Sequence, residues 1–315
     1  MEFPTAIEIR EAADRIASMV SRTPVLSAET FNKRFNTQLF FKCENFQKVG
    51  AFKSRGAVNA VFTLAESAAA KGVATHSSGN HAQALARAAA LRKIPAYIVM
   101  PENAPKVKVA AVKAYGGKIT FCKPSLEARE MTLKQVLAST GATEVHPYDN
   151  LAVITGQATA TLELLEEIAD LDIILCPVGG GGLLSGTALS THYFSPKTRL
   201  IACEPAGADD AYRSFYSGKK LPSLNPHTIA DGLLTSLGDF TFPIIQELVD
   251  EVVTVDEKSI VEAMRLIFER MKIVIEPSAA VPFAAILEEK INVEGKKVGV
   301  LISGGNVDLE RLPWQ

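Results

Sequence analysis

Short apolar runs alternate along this chain with longer segments of helical periodicity, and this alternation limits the possible folds more than any other feature. The runs have the length of buried strands. The segments 82–93, 104–116 and 256–272 carry apolar residues three and four positions apart, as amphipathic helices do. Strands that alternate with helices predict a largely parallel, wound sheet. The predicted strands are 39–42, 72–76, 96–100, 118–122, 173–178, 200–204, 251–255 and 298–302.

The composition is that of a folded protein without a strongly charged partner. Of 315 residues, 47% are hydrophobic, and 33 basic residues against 35 acidic ones give a net charge of −2. The chain can therefore bury a large core, and its charge does not point to nucleic acid or to an anionic membrane. No apolar stretch reaches the roughly 18 residues of a membrane span. At about 150 residues per domain, the length suggests two domains.

The cysteines and the first residues predict the compartment. Cys43, Cys122, Cys176 and Cys203 show no C-x-x-C pairing, so we expect buried free thiols rather than disulfides or a zinc site. The start of the chain has the pattern of an amphipathic helix with early acidic residues, not of a cationic signal peptide. Both features favour the cytoplasm.

Three of the predicted strands end in runs of small residues. These runs are 77–81, 179–182 and 303–306. Ligands of wound α/β sheets bind beyond the carboxyl ends of the strands, so the three runs predict a shared cleft. The run at 77–81 is equally compatible with a simple helix cap.

Four consecutive glycines at 179–182 are the strongest local signal. Backbone without Cβ atoms can approach a ligand closely, and the helix that follows offers unpaired N–H groups to a phosphate. A tight strand-to-helix turn is the alternative. Leu184 and Ser185 stand where G-x-G-x-x-G needs its third glycine, and Thr187 follows Gly186 where a P-loop needs lysine. These departures disfavour NAD and nucleotide sites and leave a phosphate monoester held by backbone amides.

Three further groups of polar residues carry candidate chemistry. Lys53 follows an aromatic residue near a predicted helix start, where desolvation would make its amine nucleophilic; an ordinary solvated lysine is the alternative. The carboxylates at 204–210 suit Mg²⁺ or Ca²⁺, or form a solvated acidic turn. His76 and His81 lack a second ligand at helical spacing, so zinc is not expected. No G-x-S-x-G motif supports a serine hydrolase.

A set of motifs in fixed order is far more specific than any one of them. The motifs are AFKSRGA, THSSGNHAQAL, PVGGGG, EPAGADDAY, TIADG, IEPSAA and ISGGNVDL. Together they resemble the pyridoxal-phosphate enzymes of fold type II, most closely the serine racemase and serine/threonine dehydratase group. The resemblance implies an α/β fold of two wound, largely parallel sheets with flanking helices, similar to tryptophan synthase β. It also implies a large cofactor-binding domain, 1–65 and 151–315, and a small inserted domain, 66–150, that closes on the substrate.

The resemblance implies which residues hold pyridoxal 5′-phosphate. Lys53 matches the lysine that forms the Schiff base with the cofactor aldehyde, and Asn80 matches the residue that hydrogen-bonds the phenolic oxygen. The four glycines match the phosphate loop. Ser303 matches the residue that faces the pyridine nitrogen; a hydroxyl there leaves this nitrogen neutral and the ring a weaker electron sink. The implied cofactor-binding residues are Phe52, Lys53, Asn80, Gly179, Gly180, Gly181, Gly182 and Ser303.

Substrate, metal and partner are implied in the same way. The substrates are small amino acids whose carboxylate is received by the loop at 77–81 and by two more distant residues. Glu204, the Ala208 carbonyl and Asp210 match a divalent-cation site for Mg²⁺, Ca²⁺ or Mn²⁺. Dimers are usual in the family, so we expect a homodimer. The implied substrate-binding residues are Ser77, Ser78, Asn80, His81, Arg129 and Thr235.

The implied activity is dehydration of a 3-hydroxy amino acid. Lys53 removes the Cα proton, and loss of the 3-hydroxyl converts L-serine or L-threonine into a 2-oxo acid and ammonia. Ser78, on the opposite ring face, is the second acid/base and would also allow serine to racemise. The alternatives are a dedicated serine racemase and an L-threo-3-hydroxyaspartate dehydratase. A different class is a non-catalytic protein of this fold that binds a phosphate ligand.

Several positions depart from the family pattern. Ala82 stands where racemases usually have glycine, which favours the dehydratases. Tyr148 occupies a position that is often asparagine or phenylalanine. The lysine motif differs from the S-V-K-D-R type, which argues against cysteine synthase. Lys108 and Asn306 match the ATP-binding residues of animal racemases only in part, so ATP activation is not expected.

Overall fold

The strands of the protein form two separate sheets. A computed structural model describes residues 2–77, 79–104 and 106–314. Within these ranges there are ten strands, and eight of them coincide with the eight predicted from the sequence. The strands are β1 Val25–Leu26, β2 Gln38–Cys43, β3 Val73–His76, β4 Ala96–Pro101, β5 Lys118–Cys122, β6 Thr143–Glu144, β7 Ile173–Pro177, β8 Arg199–Pro205, β9 Glu251–Val255 and β10 Lys297–Ile302.

The larger sheet has six strands in the order β1-β2-β10-β7-β8-β9. All neighbours are parallel except β1, which pairs antiparallel with β2. Strand β7 is buried along its whole length, and β10 from its second residue onward. Continuous apolar burial is typical of parallel strands covered on both faces, and it explains why these runs were recognisable in the sequence.

The smaller sheet has four parallel strands in the order β5-β4-β3-β6. All four lie between residues 73 and 144. Two wound, mainly parallel sheets with flanking helices confirm the predicted fold class. The division into domains at residues 66 and 150 stays a prediction.

Helices cover the faces of both sheets. None of the helices in the described ranges is long and apolar enough to cross a lipid bilayer. The three helices predicted from periodicity, at 82–93, 104–116 and 256–272, are present in the structure. The helices are α1 Ala6–Ile16, α2 Glu29–Phe35, α3 Lys53–Phe62, α4 Glu66–Ala69, α5 Asn80–Arg92, α6 Lys106–Ala114, α7 Leu126–Thr140, α8 Leu151–Glu167, α9 Gly182–Phe194, α10 Asp210–Ser217, α11 Thr241–Leu248, α12 Glu257–Met271 and α13 Pro277–Leu287.

Three large apolar clusters hold these layers together. One cluster packs α12 and α13 on one face of the six-stranded sheet and contains the rings of Phe31 and Phe283, whose centroids are 4.6 Å apart. A second packs α8, α9 and α11 on the opposite face. The third joins α3 and α5 to the four-stranded sheet. The four cysteines are free and buried, as predicted.

Candidate active site

Lys53 is the first residue of α3, the helix that follows β2 along the chain, and it lies in the cleft. Its Nζ donates a 2.7 Å hydrogen bond to the Pro147 carbonyl and lies 5.0 Å from the centroid of the Phe52 ring. Burial lowers the pKa of Lys53 to about 8, against an opposing influence from the Glu276 carboxylate. An amine in this state is neutral far more often than one on the surface.

The segment before Lys53 is strained and clamped to the loop that follows β10. Val49 has a φ of 57°, a left-handed conformation that a β-branched residue rarely adopts. The Asn306 Nδ2 donates to the Val49 carbonyl at 2.7 Å, and the Phe52 N–H donates to the Ser303 carbonyl at 3.0 Å. These bonds hold Lys53 and Ser303 in the same cleft.

The four glycines form the turn between β7 and α9. Gly181 has a φ of 90° and precedes a helix start that no side chain caps within the described residues. A Cβ built on Gly180 would lie 2.4 Å from the Tyr148 ring, and one on Gly182 would lie 2.9 Å from the Tyr148 Cβ. The Thr241 hydroxyl fixes the loop by donating to the Gly180 carbonyl at 2.8 Å. The loop therefore needs glycine for close packing, and it leaves the first amides of α9 available to an anion.

Asn80, at the start of α5, belongs to a network that sequence analysis did not predict. Its Nδ2 donates to the two Glu276 carboxylate oxygens at 3.0 and 3.2 Å, and its Oδ1 accepts from the Asn306 Nδ2 at 2.9 Å. These partners fix which way the Asn80 amide faces, with its Nδ2 toward Glu276 and its Oδ1 toward Asn306. Burial raises the pKa of Glu276 to about 7. The only sequence signal for Glu276 was its place in the IEPSAA motif.

The structure describes the predicted substrate-binding loop at 77–81 only in part. Ser77 lies just after β3, and its hydroxyl accepts from the Gly79 N–H at 3.3 Å. Ser78 lies outside the described residues. The His81 Nε2 is 3.0 Å from the Val145 carbonyl. Burial and the nearby Lys53 charge lower the pKa of His81 to about 3, so the ring is a neutral group near pH 7.

A second unpredicted group, of three aromatic rings, lies beside this loop. The His146 ring stands edge-on to the Tyr148 ring at 4.6 Å and to the His76 ring at 6.2 Å, measured between centroids. The Thr235 side chain lies near the Tyr148 phenol, whose pKa burial raises to about 12. The positive charge of Arg129 adds to burial in lowering the pKa of His76. Arg129 and Thr235 thus lie near opposite ends of this aromatic group.

The predicted cation site is only partly assembled. The two Glu204 oxygens accept the N–H groups of Ala211 and Tyr212 at 2.9 and 2.8 Å, and burial raises the pKa of Glu204 to about 9. Both Asp210 oxygens are buried without a hydrogen bond that meets normal geometry. Ala208 is also buried. No cluster of three or more His, Cys, Asp or Glu side chains suited to a metal occurs among the described residues.

The comparisons with known proteins agree with this geometry. The family model described as "Pyridoxal-phosphate dependent enzyme" matches residues 16–304. The chain belongs to this family. This confirms the predicted family and the prediction of a pyridoxal-phosphate enzyme.

Relatives of the enzyme carry several activities. It is 50% identical over 314 residues to the β-hydroxyaspartate dehydratase of Paracoccus denitrificans (strain Pd 1222), with all of both chains covered. It is 52% identical to the serine racemase of Dictyostelium discoideum, with 99% of this chain and 98% of the relative covered. The crystal structure of the T.th. threonine deaminase superposes with a TM-score of 0.92 at 40% identity, covering 97% of this chain and 99% of that one.

The residues of the cleft fit pyridoxal phosphate. The glycine loop, where an added Cβ atom would clash with its neighbours, precedes the start of α9. No described side chain caps this helix start, and its backbone N–H groups suit a phosphate. Lys53 presents an amine of lowered pKa, and Asn80 presents a side-chain amide whose orientation Glu276 and Asn306 fix. A pyridoxal-phosphate-dependent enzyme needs these three features in one cleft.

Proposed function

We propose that this enzyme is a dehydratase of 3-hydroxy amino acids that converts L-serine to pyruvate and L-threonine to 2-oxobutanoate, with release of ammonia. The observation that carries the proposal is the Lys53 amine, whose pKa is lowered to about 8 beside a glycine loop suited to a phosphate. The names of two relatives, a β-hydroxyaspartate dehydratase and a threonine deaminase, support the same reaction type.

Pyridoxal phosphate would be held by residues from four loops. The amides of Gly179, Gly180, Gly181 and Gly182 would bind its phosphate, and Phe52 would pack beside its ring. Asn80 would donate to the phenolic oxygen. Glu276 and Asn306 fix the orientation of its amide. Ser303 would face the pyridine nitrogen. When bound, the cofactor supplies an aldehyde that condenses with an amine and a conjugated ring that delocalises negative charge from the substrate Cα.

Lys53 would move the proton at the substrate Cα. With a pKa of about 8, about a tenth of Lys53 is neutral at pH 7, against less than about a thousandth for an ordinary lysine. The neutral Nζ accepts the Cα proton, and the 3-hydroxyl then leaves with its electron pair. Addition of water to the remaining enamine and loss of ammonia give the 2-oxo acid. Atoms balance as one amino acid to one oxo acid plus one ammonia.

The substrate carboxylate would be received by the loop at 77–81 and the start of α5. Ser77 and Asn80 would bind it with their side chains. His81 would contribute its backbone N–H, because its neutral ring has one N–H, which faces the Val145 carbonyl. Arg129 and Thr235 would help to bind it. Ser78 would act as the second acid/base on the other face of the substrate.

A second candidate function is dehydration of L-threo-3-hydroxyaspartate. Arg129 lies close enough to His76 to lower its pKa, and His76 directly precedes Ser77. A cation beside the loop expected to bind the first carboxylate would attract a second carboxylate. A dedicated serine racemase is the third candidate, supported by the relative from D. discoideum. The three candidates differ in substrate and product rather than in the use of Lys53.

The test joins chemical trapping to a substrate panel. The protein is loaded with pyridoxal phosphate, reduced with borohydride and digested, and we expect the label on Lys53. Lys53→Ala should carry no label, whereas Lys48→Ala, a control five residues away, should keep it. Label on another lysine or on none would refute the proposal. Oxo-acid and enantiomer yields from L-serine, D-serine, L-threonine and L-threo-3-hydroxyaspartate then rank the candidates.

A divalent cation, Mg²⁺, Ca²⁺ or Mn²⁺, would bind at the Glu204 and Asp210 carboxylates and the Ala208 carbonyl. The buried Asp210 oxygens, which lack a well-formed hydrogen bond, support this because such groups are costly to leave unpaired. Chelation with EDTA should lower the melting temperature of the wild type. Asp210→Ala should melt at that lower temperature with or without EDTA. If the wild type melts identically with EDTA and with added Mg²⁺, the site is wrong.

The remaining predictions concern the whole molecule. Residues 66–150 would form the small domain that closes on the substrate, which is consistent with a sheet whose strands lie between residues 73 and 144. The enzyme would be a homodimer, as the family resemblance implies, and it would lie in the cytoplasm, as the cysteine pattern and the first residues predict. Light scattering of the purified protein should give about twice the mass of one chain, 33.8 kDa.

A further inference from the structure

A buried group of four charged side chains lies behind Lys53, away from the cleft. At its centre is Arg55, whose side chain is 0% exposed. Its Nε and Nη2 donate to the two Glu44 oxygens at 2.7 and 2.8 Å. Its Nη1 and Nη2 donate to the two Glu163 oxygens at 2.7 and 2.8 Å. One guanidinium therefore binds two carboxylates, each through two hydrogen bonds.

Lys42 completes this ion cluster, which we define as Lys42, Glu44, Arg55 and Glu163. The Lys42 Nζ donates to the Glu163 carboxylate at 2.6 Å and to the Thr23 carbonyl at 2.7 Å. Three of the four side chains are 0% exposed and Glu163 is 13% exposed. Two cations and two anions give the ion cluster a net charge of zero.

Stability alone does not account for such a cluster. Removing four charges from water is costly, and ion pairs in a protein interior often stabilise no better than apolar side chains of the same size. The cluster joins Arg55 of α3 to the end of β2 and to Glu163 of α8. It therefore fixes one turn of α3 against two other elements with defined geometry.

The turn that it fixes is the one that carries Lys53. Helix α3 begins at Lys53, has no side-chain N-cap and has no acidic residue in its first turn. Cations at the positive end of a helix are unfavourable, so this start lacks the usual stabilisation. Residues two positions apart project about 200° from each other around a helix. Arg55 therefore anchors the core side of the turn whose cleft side presents Lys53.

We propose that the ion cluster is a positioning device for Lys53, which holds the first turn of α3 and keeps the charge behind the amine at zero. The inference rests on the proposed function, in which Lys53 reacts with the cofactor. The ionisable groups that face the amine from the other elements are Glu276, His81 and His146, and only Glu276 among them carries charge near pH 7. A net charge in the ion cluster would therefore shift the pKa of the Lys53 amine, because few other charges act on it.

The test uses two substitutions that unbalance the ion cluster in opposite directions. Glu44→Gln leaves a net charge of +1, and Lys42→Met leaves −1. For a charge about 10 Å from the amine in a protein interior, the pKa of Lys53 should shift by about one unit, downward in Glu44→Gln and upward in Lys42→Met. A control is Lys33→Met, which removes an exposed cation paired with Glu29 far from the cleft.

The readout is the rate at which the apoprotein forms its imine with pyridoxal phosphate, followed by absorbance from pH 6 to pH 10. The midpoint of the rate profile reports the pKa of Lys53, independently of turnover. Opposite shifts of the midpoint support the proposal. A midpoint raised in both variants would mean that the ion cluster holds the turn but does not control the charge at the amine. That result overturns the proposal, which requires both roles, as does an unchanged midpoint.

Two further outcomes are separated by design. If Glu44→Gln does not fold, Glu163→Gln also leaves a net charge of +1 at a side chain that is 13% exposed, and its midpoint must fall. If the wild type forms no imine at Lys53, the proposed function fails and this inference fails with it. If the wild type reacts at Lys53 and the midpoints do not move apart, only this inference is overturned.

Discussion

Substitution of one glycine in the phosphate loop tests the proposed cofactor site most directly. A Cβ at Gly180 would meet Tyr148 ring carbons at 2.4 and 2.5 Å, where ordinary contacts begin at 3.4 Å. The ring cannot retreat freely, because His146 stands against it and Thr235 lies near its phenol. Gly180→Ala must therefore move the loop, the ring or both by about 1 Å.

The size of the effect follows from the clash and from the lost contacts. Overpacking of this kind costs about 1–3 kcal/mol, which for a chain of this length lowers the melting temperature by about 2–5 °C. A displaced loop also loses about one amide hydrogen bond to a charged phosphate, or about 1.5–3 kcal/mol. The dissociation constant for pyridoxal phosphate should rise about 10- to 150-fold.

Titration with two ligands isolates the phosphate contribution. Calorimetry of the apoprotein should show the loss for pyridoxal phosphate, whereas pyridoxal, which has no phosphate, should bind the variant as it binds the wild type. Adding Gly180→Ala to a Tyr148→Ala protein should cost little, because the clashing ring is gone. Gly79→Ala, whose Cβ would meet nothing within 4 Å, controls for the substitution itself in melting experiments. Unchanged affinity of Gly180→Ala for pyridoxal phosphate would refute the reasoning.

Two other side chains of the cleft give predictions of their own. Burial raises the pKa of Glu276 to about 7 from an ordinary value of 4.5, so the folded apoprotein holds a proton that the unfolded chain has lost. Its free energy of unfolding should therefore fall by about 3 kcal/mol as the pH rises from about 4.5 to 7. Glu276→Gln should lack this fall in urea unfolding at pH 5 and pH 8, and a wild-type slope in the variant would contradict it. Tyr148→Phe keeps the ring on the glycine loop but removes the partner of Thr235. We expect unchanged affinity for pyridoxal phosphate and a KM for L-serine raised about 2- to 10-fold, and an unchanged KM would disprove the contact's role.

The secondary structure was predictable where burial is continuous. Strand β7 is buried over its whole length, and β10 from its second residue onward, because helices cover both faces of the sheet. Such apolar runs stand out in a sequence. Strands β1 and β6 were missed. Each has two residues and pairs with one neighbour only, so neither leaves a periodic signal long enough to recognise.

The site was predictable where local backbone demands a residue type. Gly181 has a left-handed backbone, and a Cβ atom on the neighbouring glycines would clash with other atoms. These two features explain the glycine run. Glu276 has no such local signature. Its contact with Asn80 joins residues 196 positions apart in the sequence, and neither residue shows by its neighbours that the other is near. Contacts of this kind appear only once the strands have brought their ends together.

Arg55 shows most clearly what a local pattern leaves out. By its type it would be expected on the surface, since arginine is rarely fully buried unless it is paired. Its partners are 11 and 108 residues away, and both are carboxylates with little or no exposure. The same helical turn therefore presents a lysine to a cleft where burial lowers its pKa and an arginine to carboxylates that keep it charged. Without the ends of β2 and α8 behind it, a lysine in the same local sequence would lack the anchor that Arg55 provides. It would also lack an ion cluster of zero net charge behind its amine. Under the proposed function, the reactivity of Lys53 would for this reason be a property of the packed sheet and helices, and not of the motif alone.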